Sequence, residues 1–80
     1  MVIKIYTTPS CGWCGLAKAF FSDKNIEYKE VNVAEDREAA GEMVAKSGQM
    51  GVPVIDIDGD VFIGFDKAGI TYTLREKGVL

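Results

Sequence analysis

The spacing of apolar positions along the chain switches between the period of a strand and that of a helix. Val2, Ile3, Ile5 and Tyr6 form a near-continuous apolar run up to Thr7. Such a run suits a strand covered on both faces, as in a parallel sheet with helices above and below. Thr8-Pro9-Ser10 ends it: Pro9 has no N–H to give a neighbouring strand, and Ser10 is a residue type that caps helices. Leu16, Ala17, Phe20 and Phe21 then fall on one helical stripe, with Lys18, Asp23 and Lys24 off it. This predicts a first helix that ends near Asn25, with Phe20 and Phe21 in the core.

Residues 26–33 alternate again, with Ile26, Tyr28 and, after a slip, Val31 and Val33 as the buried set. A helix separates this strand from the first, so the two are expected to run parallel. Glu35 to Ser47 reads as a second helix. Glu35, Asp36 and Glu38 complement the positive end of its dipole, and Ala40, Met43, Val44 and Ser47 are its expected packed face. Glu42 and Lys46 are spaced to pair along its surface, and Gly48 is placed to end it. Two short apolar runs, from Val52 to Ile57 and from Val61 to Ile63, flank an Asp58-Gly59-Asp60 turn and predict a hairpin. Pro53 belongs at the start of its strand, where a missing donor is tolerated. Asp66 is a good cap for a last helix, with Phe65 and Ile70 as a hydrophobic staple and Ile70 and Leu74 as its buried stripe. Gly78 closes that helix. The order is βαβαββα: one α/β domain over residues 1–80, with a four-stranded mixed sheet and helices on both faces.

Composition narrows the function classes. With 80 residues the core is small. A net charge of −3 and nine scattered basic residues argue against a nucleic-acid surface. No apolar run approaches the ~20 residues that span a bilayer, and the first residues lack the pattern of a secretory signal. The expectation is a cytoplasmic protein in a reducing environment, with no membrane partner. Asp56, Asp58 and Asp60 have the spacing of a calcium loop, but the sixth position is Val61 where glycine is needed and the twelfth is Lys67 where glutamate is needed. They read as a polar hairpin tip.

The chemistry rests on Cys11-Gly12-Trp13-Cys14, which holds the chain's two cysteines. A bridge closing so short a loop adds only about 2 kcal/mol by the chain-entropy relation, which argues against a structural role. With no histidine and no third cysteine, an intramolecular zinc site is also disfavoured. A C-x-x-C pair between a strand and a helix start reads as a redox-active dithiol. At a helix N-terminus, free backbone N–H groups and the dipole favour thiolate, and such cysteines have pKa values lowered to roughly 3.5–7.5. Cys11, in the first turn, is expected to attack a disulfide. Cys14, one turn deeper, is expected to resolve the mixed disulfide. Trp13 either covers the core or touches substrate; its place on an exposed turn between the sulfurs favours the substrate.

Three separated stretches resemble the glutaredoxin family of the thioredoxin-fold superfamily. They are Tyr6-Thr7-Thr8-Pro9-Ser10-Cys11-Gly12-Trp13-Cys14, Ser47-Gly48-Gln49-Met50-Gly51-Val52-Pro53-Val54 and Ile63-Gly64-Phe65-Asp66. The resemblance covers the whole chain and implies a thioredoxin fold with a cis peptide between Val52 and Pro53. It implies that the Gly51-Val52-Pro53 loop faces Cys11, with the backbone at Val52 pairing with glutathione like an added strand. It also implies that Asp66 and the helix start after it hold the γ-glutamyl end, with Gly64 in the same glutathione-binding groove. The departures fall on that groove. Thr8 stands where the family commonly has Lys or Arg, and Gly12-Trp13 stands for Pro-Tyr. Gly51 stands for Thr, Ile63-Gly64 for paired glycines, and Phe65 for a small residue.

The resemblance therefore implies a thiol–disulfide oxidoreductase that reduces protein disulfides or glutathione mixed disulfides. Its electrons would come from glutathione or thioredoxin reductase. It would have no tightly bound cofactor and no metal, glutathione would be its co-substrate, and it would act as a monomer. Two alternatives stand beside it. One is an electron donor of the ribonucleotide-reductase redoxin type, reduced by thioredoxin reductase. The other is an iron–sulfur carrier, in which a cluster bridges two chains.

Overall fold

The computed structural model describes residues 1–80. Its order is β1 (Ile3–Thr7), α1 (Gly12–Asp23), β2 (Lys29–Asn32), α2 (Arg37–Ser47), β3 (Val54–Ile57), β4 (Asp60–Ile63) and α3 (Lys67–Glu76). The strands form one sheet in the order β2-β1-β3-β4. β1 runs parallel to β2 and antiparallel to β3, and β3 and β4 form the antiparallel hairpin.

The two central strands are covered on both faces, as the near-continuous apolar run of Ile3, Ile5 and Tyr6 predicts, whereas Val2, expected in the same run, lies before β1 and is exposed. Ile3 and Ile5 pair in register with Ile57 and Ile55. On that face they pack with Ala17, Phe20 and Phe21 of α1 and Ile70 and Leu74 of α3. On the opposite face Tyr6 and its partner Val54 meet Met43 of α2, flanked by Val31, Val33, Val52 and Val61. The slip expected in residues 26–33 has a physical meaning: Ile26 and Tyr28 serve the first core, Val31 and Val33 the second. Only Lys29–Asn32 of that stretch are paired as a strand.

Several expectations are corrected. The cap of α1 is Cys11 itself, not Ser10. Leu16 is 53% exposed and leaves the α1 stripe to Ala17, Phe20 and Phe21, since the stripe's centre faces the sheet between α1 and α3. In α2 the buried residues are Ala39 and Met43; Val44 is 37% exposed. That helix begins at Arg37, because Asp36 turns its side chain onto the Ala39 N–H at 3.0 Å and caps it. Asp56 is not at the hairpin tip. It lies within β3, is 9% exposed, and points under α2. The turn itself is Asp58-Gly59, with φ of +51° and +100°, the two positive values that a two-residue type I′ hairpin needs.

A charged cluster fills the space beneath α2. Lys46 Nζ donates to Asp56 Oδ2 at 2.7 Å and to the Tyr6 hydroxyl at 2.9 Å. Tyr6 in turn donates to Glu42 Oε1 at 2.6 Å, and Lys4 donates to the same oxygen at 3.2 Å. On the other face, Lys18 of α1 and Thr7 of β1 both donate to Glu30 of β2 at 3.0 Å. These bonds hold the Glu30 carboxyl below its usual range, the Lys18 ammonium first and the Thr7 hydroxyl second.

Candidate active site

β1 ends at Thr7, and four residues later the chain enters α1. The Cys11 backbone is extended (φ −91°, ψ 109°), its N–H donates to the Thr8 carbonyl at 3.2 Å, and its Sγ accepts the Cys14 N–H at 3.1 Å. A sulfur therefore takes the position that a Ser or Asp oxygen takes in an ordinary cap. No acidic residue lies in the first turn of α1 to oppose negative charge there. Cys11 and Cys14 are joined as a disulfide, with their Cα atoms 5.3 Å apart. Cys11 is partly exposed, whereas Cys14 is 1% exposed. Trp13, between them, is 64% exposed, so it does not cover the core.

Strand register brings the remaining stretches to the same end of the sheet. Tyr6, Val54 and Ile63 lie side by side across β1, β3 and β4. The residues just beyond them are Thr7 to Cys11, Val52-Pro53 and Gly64 to Asp66. The Val52–Pro53 peptide is cis. The Gly64 N–H donates to the Pro53 carbonyl at 2.8 Å and joins two of these stretches directly. Asp66 caps α3, its Oδ1 accepting the Gly69 N–H at 3.1 Å. Gly69 leaves room for this carboxylate: a Cβ there would lie 2.5 Å from Asp66 Oδ2 and 3.1 Å from the Phe62 ring. Phe65, just before the cap, sets its ring 5.6 Å from Phe20, edge to face, and so ties the start of α3 to α1. Gly51 and Val52 lead into Pro53, with Gly51 exposed and Val52 half-buried.

One participant in this arrangement was missed by sequence reasoning. Gln49 folds its carboxamide back onto Gly51, with Nε2 donating to the Gly51 carbonyl at 3.0 Å and Oε1 accepting its N–H. A lone Gln in a polar loop gives no periodic signal. The spacing Gln-x-Gly was the only hint. No group of three or more Cys, Asp or Glu side chains is gathered closely enough to hold a metal ion.

The family model described as Glutaredoxin matches residues 3–62. The chain belongs to the glutaredoxin family. It is 51% identical over 69 residues to a glutaredoxin-like 8.6 kDa protein of the rubredoxin operon of Clostridium pasteurianum, covering 86% of this chain and 92% of that one. It is 33% identical over 78 residues to glutaredoxin 3 of Escherichia coli, covering 98% and 90%. Among solved structures it is similar to NrdH-redoxin of Escherichia coli, a glutaredoxin-like protein with a thioredoxin-like activity profile. The TM-score is 0.81 at 28% identity, over 90% of this chain and 93% of that chain. As a glutaredoxin, the protein is a redox protein of the thioredoxin fold carrying a C-x-x-C disulfide.

Proposed function

We propose that this glutaredoxin is a thiol–disulfide oxidoreductase that uses Cys11 as nucleophile and Cys14 as resolving thiol. The observation that carries the reading is the cap: a partly exposed Cys11 Sγ accepts a backbone N–H at the start of α1, while Cys14 is buried behind it. In the reduced chain the Cys11 thiolate attacks one sulfur of a substrate disulfide. A Cys11–substrate bond forms, the substrate bond breaks, and the first substrate thiol leaves. The Cys14 thiolate then attacks Cys11 Sγ, expels the second thiol and closes the Cys11–Cys14 disulfide. Two electrons pass from the dithiol to the substrate, and an external thiol couple must restore them. The 80 residues act as one domain and as a monomer, in a reducing, cytoplasmic setting, with no tightly bound cofactor.

Trp13, the Gly51-Val52-Pro53 loop, Gly64 and Asp66 line the substrate side in this reading, and glutathione or a protein disulfide is the substrate. A second electron source is supported by particular residues. Thr8 places no cation before the active-site helix, and Phe65 occupies the approach to α3. With the likeness to NrdH-redoxin, this favours reduction by thioredoxin reductase over reduction by glutathione.

Treating Cys14→Ser with oxidised glutathione tests the mechanism: intact mass should show one adduct, on Cys11, and Cys11→Ser should form none. Reducing the wild-type disulfide with NADPH and either thioredoxin reductase or glutathione with its reductase identifies the electron source. Failure of both couples would defeat the reductase reading.

A further inference from the structure

We propose that Gln49 is a positioning residue that prepares the Val52 backbone to pair with peptide-bearing disulfides. The inference rests on the redox reading above. The Gln49 carboxamide satisfies both backbone groups of Gly51, and this double bond fixes its orientation, since the Gly51 N–H needs the oxygen and the Gly51 carbonyl needs the amino group. The side chain is held from behind as well: Nε2 also donates to Ser47 Oγ at 3.3 Å. Ser47 Oγ in turn donates to the Met43 carbonyl at 2.7 Å, in the last turn of α2. A chain of hydrogen bonds thus runs from α2 to the residue before Val52.

By contrast, the backbone N–H and C=O of Val52 make no hydrogen bond within the chain. An extended segment arriving at this loop finds the Gly51 groups already occupied and the Val52 groups free. It has one residue with which to pair, and therefore one register. The absence of a side chain on Gly51 belongs to the same device. A Cβ there would lie 2.7 Å from Gln49 Oε1 and would push the carboxamide away. Without Gln49, a glycine outside any strand ladder is free to move, and ordering it again is charged to substrate binding.

The test uses the pre-reduced full chain and two probes. One is the symmetrical disulfide of a blocked Gly-Cys-Gly peptide. The other is bis(2-hydroxyethyl) disulfide, which has no peptide groups. Each turnover oxidises the chain's dithiol and releases two probe thiols. Gln49→Ala is expected to lower the second-order rate constant for the peptide probe about fivefold, equivalent to about 1 kcal/mol, and to leave the small probe within about twofold. Gly51→Ala should lower the peptide rate as well, because its Cβ displaces the same carboxamide, and the double variant should lose no more on that probe than the larger of the two single losses. An unchanged peptide rate, or an equal loss on both probes, would overturn the positioning role. If the wild type reduced neither probe, the redox reading itself would fall.

Discussion

At Lys46, burial and hydrogen bonding act in opposite directions. Burial disfavours its charge, but the bonds to Asp56, Tyr6 and Glu42 outweigh it, and its pKa is raised. The consequence appears at Asp56, whose side chain is 12% exposed and whose nearest cation is Lys46. Lys46→Met is expected to cost about 2 kcal/mol in urea unfolding, less than a fully buried pair would, because the Lys46 side chain is itself 28% exposed. Glu42 belongs to the same cluster. Hydrogen bonds from Tyr6, Lys46 and Lys4 pull its carboxyl down to about 2 from an ordinary 4.5. A depressed folded-state pKa stabilises the fold above pH 4.5, and the contribution is lost as pH falls towards about 2. Urea midpoints of the wild type and Glu42→Gln should therefore differ at pH 6 and converge towards pH 2. Parallel curves across that range would show that Glu42 is not the titrating group.

Among the elements, α3 starts on a residue with two assignments. Asp66 caps the helix, and in the proposed groove it also meets the γ-glutamyl end of glutathione. The two roles separate by substitution. Asp66→Ala should cost about 1 kcal/mol of stability, Asp66→Asn much less, since Asn caps nearly as well. If the charge serves binding, Asp66→Asn should still weaken glutathione-dependent turnover. In the hairpin, Gly59→Ala places a side chain at φ +100° and should cost about 1–2 kcal/mol. The elements themselves were legible because each signal was local: the double-sided apolar run of β1, the Asp-Gly step of the turn, the cap at Asp66. Two features were not legible. Asp56 looked like a turn residue because its neutralising partner, Lys46, sits ten positions earlier on a helix whose packing is a tertiary matter. Leu16 looked like core because a stripe drawn from sequence does not say where its edge meets water. At the site, the cysteine pair was plain from spacing, whereas the bond from Gln49 to Gly51 depends on a loop shape that no periodicity encodes.

Over the whole molecule, neither core cluster includes a cysteine of the bridge, and the bridge spans one helical turn. Reduction with dithiothreitol is expected to leave far-ultraviolet circular dichroism unchanged and to shift unfolding by no more than about 2 kcal/mol. A larger loss would mean that the disulfide is structural. On that expectation the site end of the sheet is free to change oxidation state while the rest stays fixed. That freedom gives Trp13 an optical use. It is the single tryptophan of the chain, it is exposed, and it sits between the two sulfurs. A disulfide accepts an electron from an excited indole, and a dithiol does so far less well. The emission of the native chain should therefore brighten on reduction, giving a label-free gauge of its own redox state.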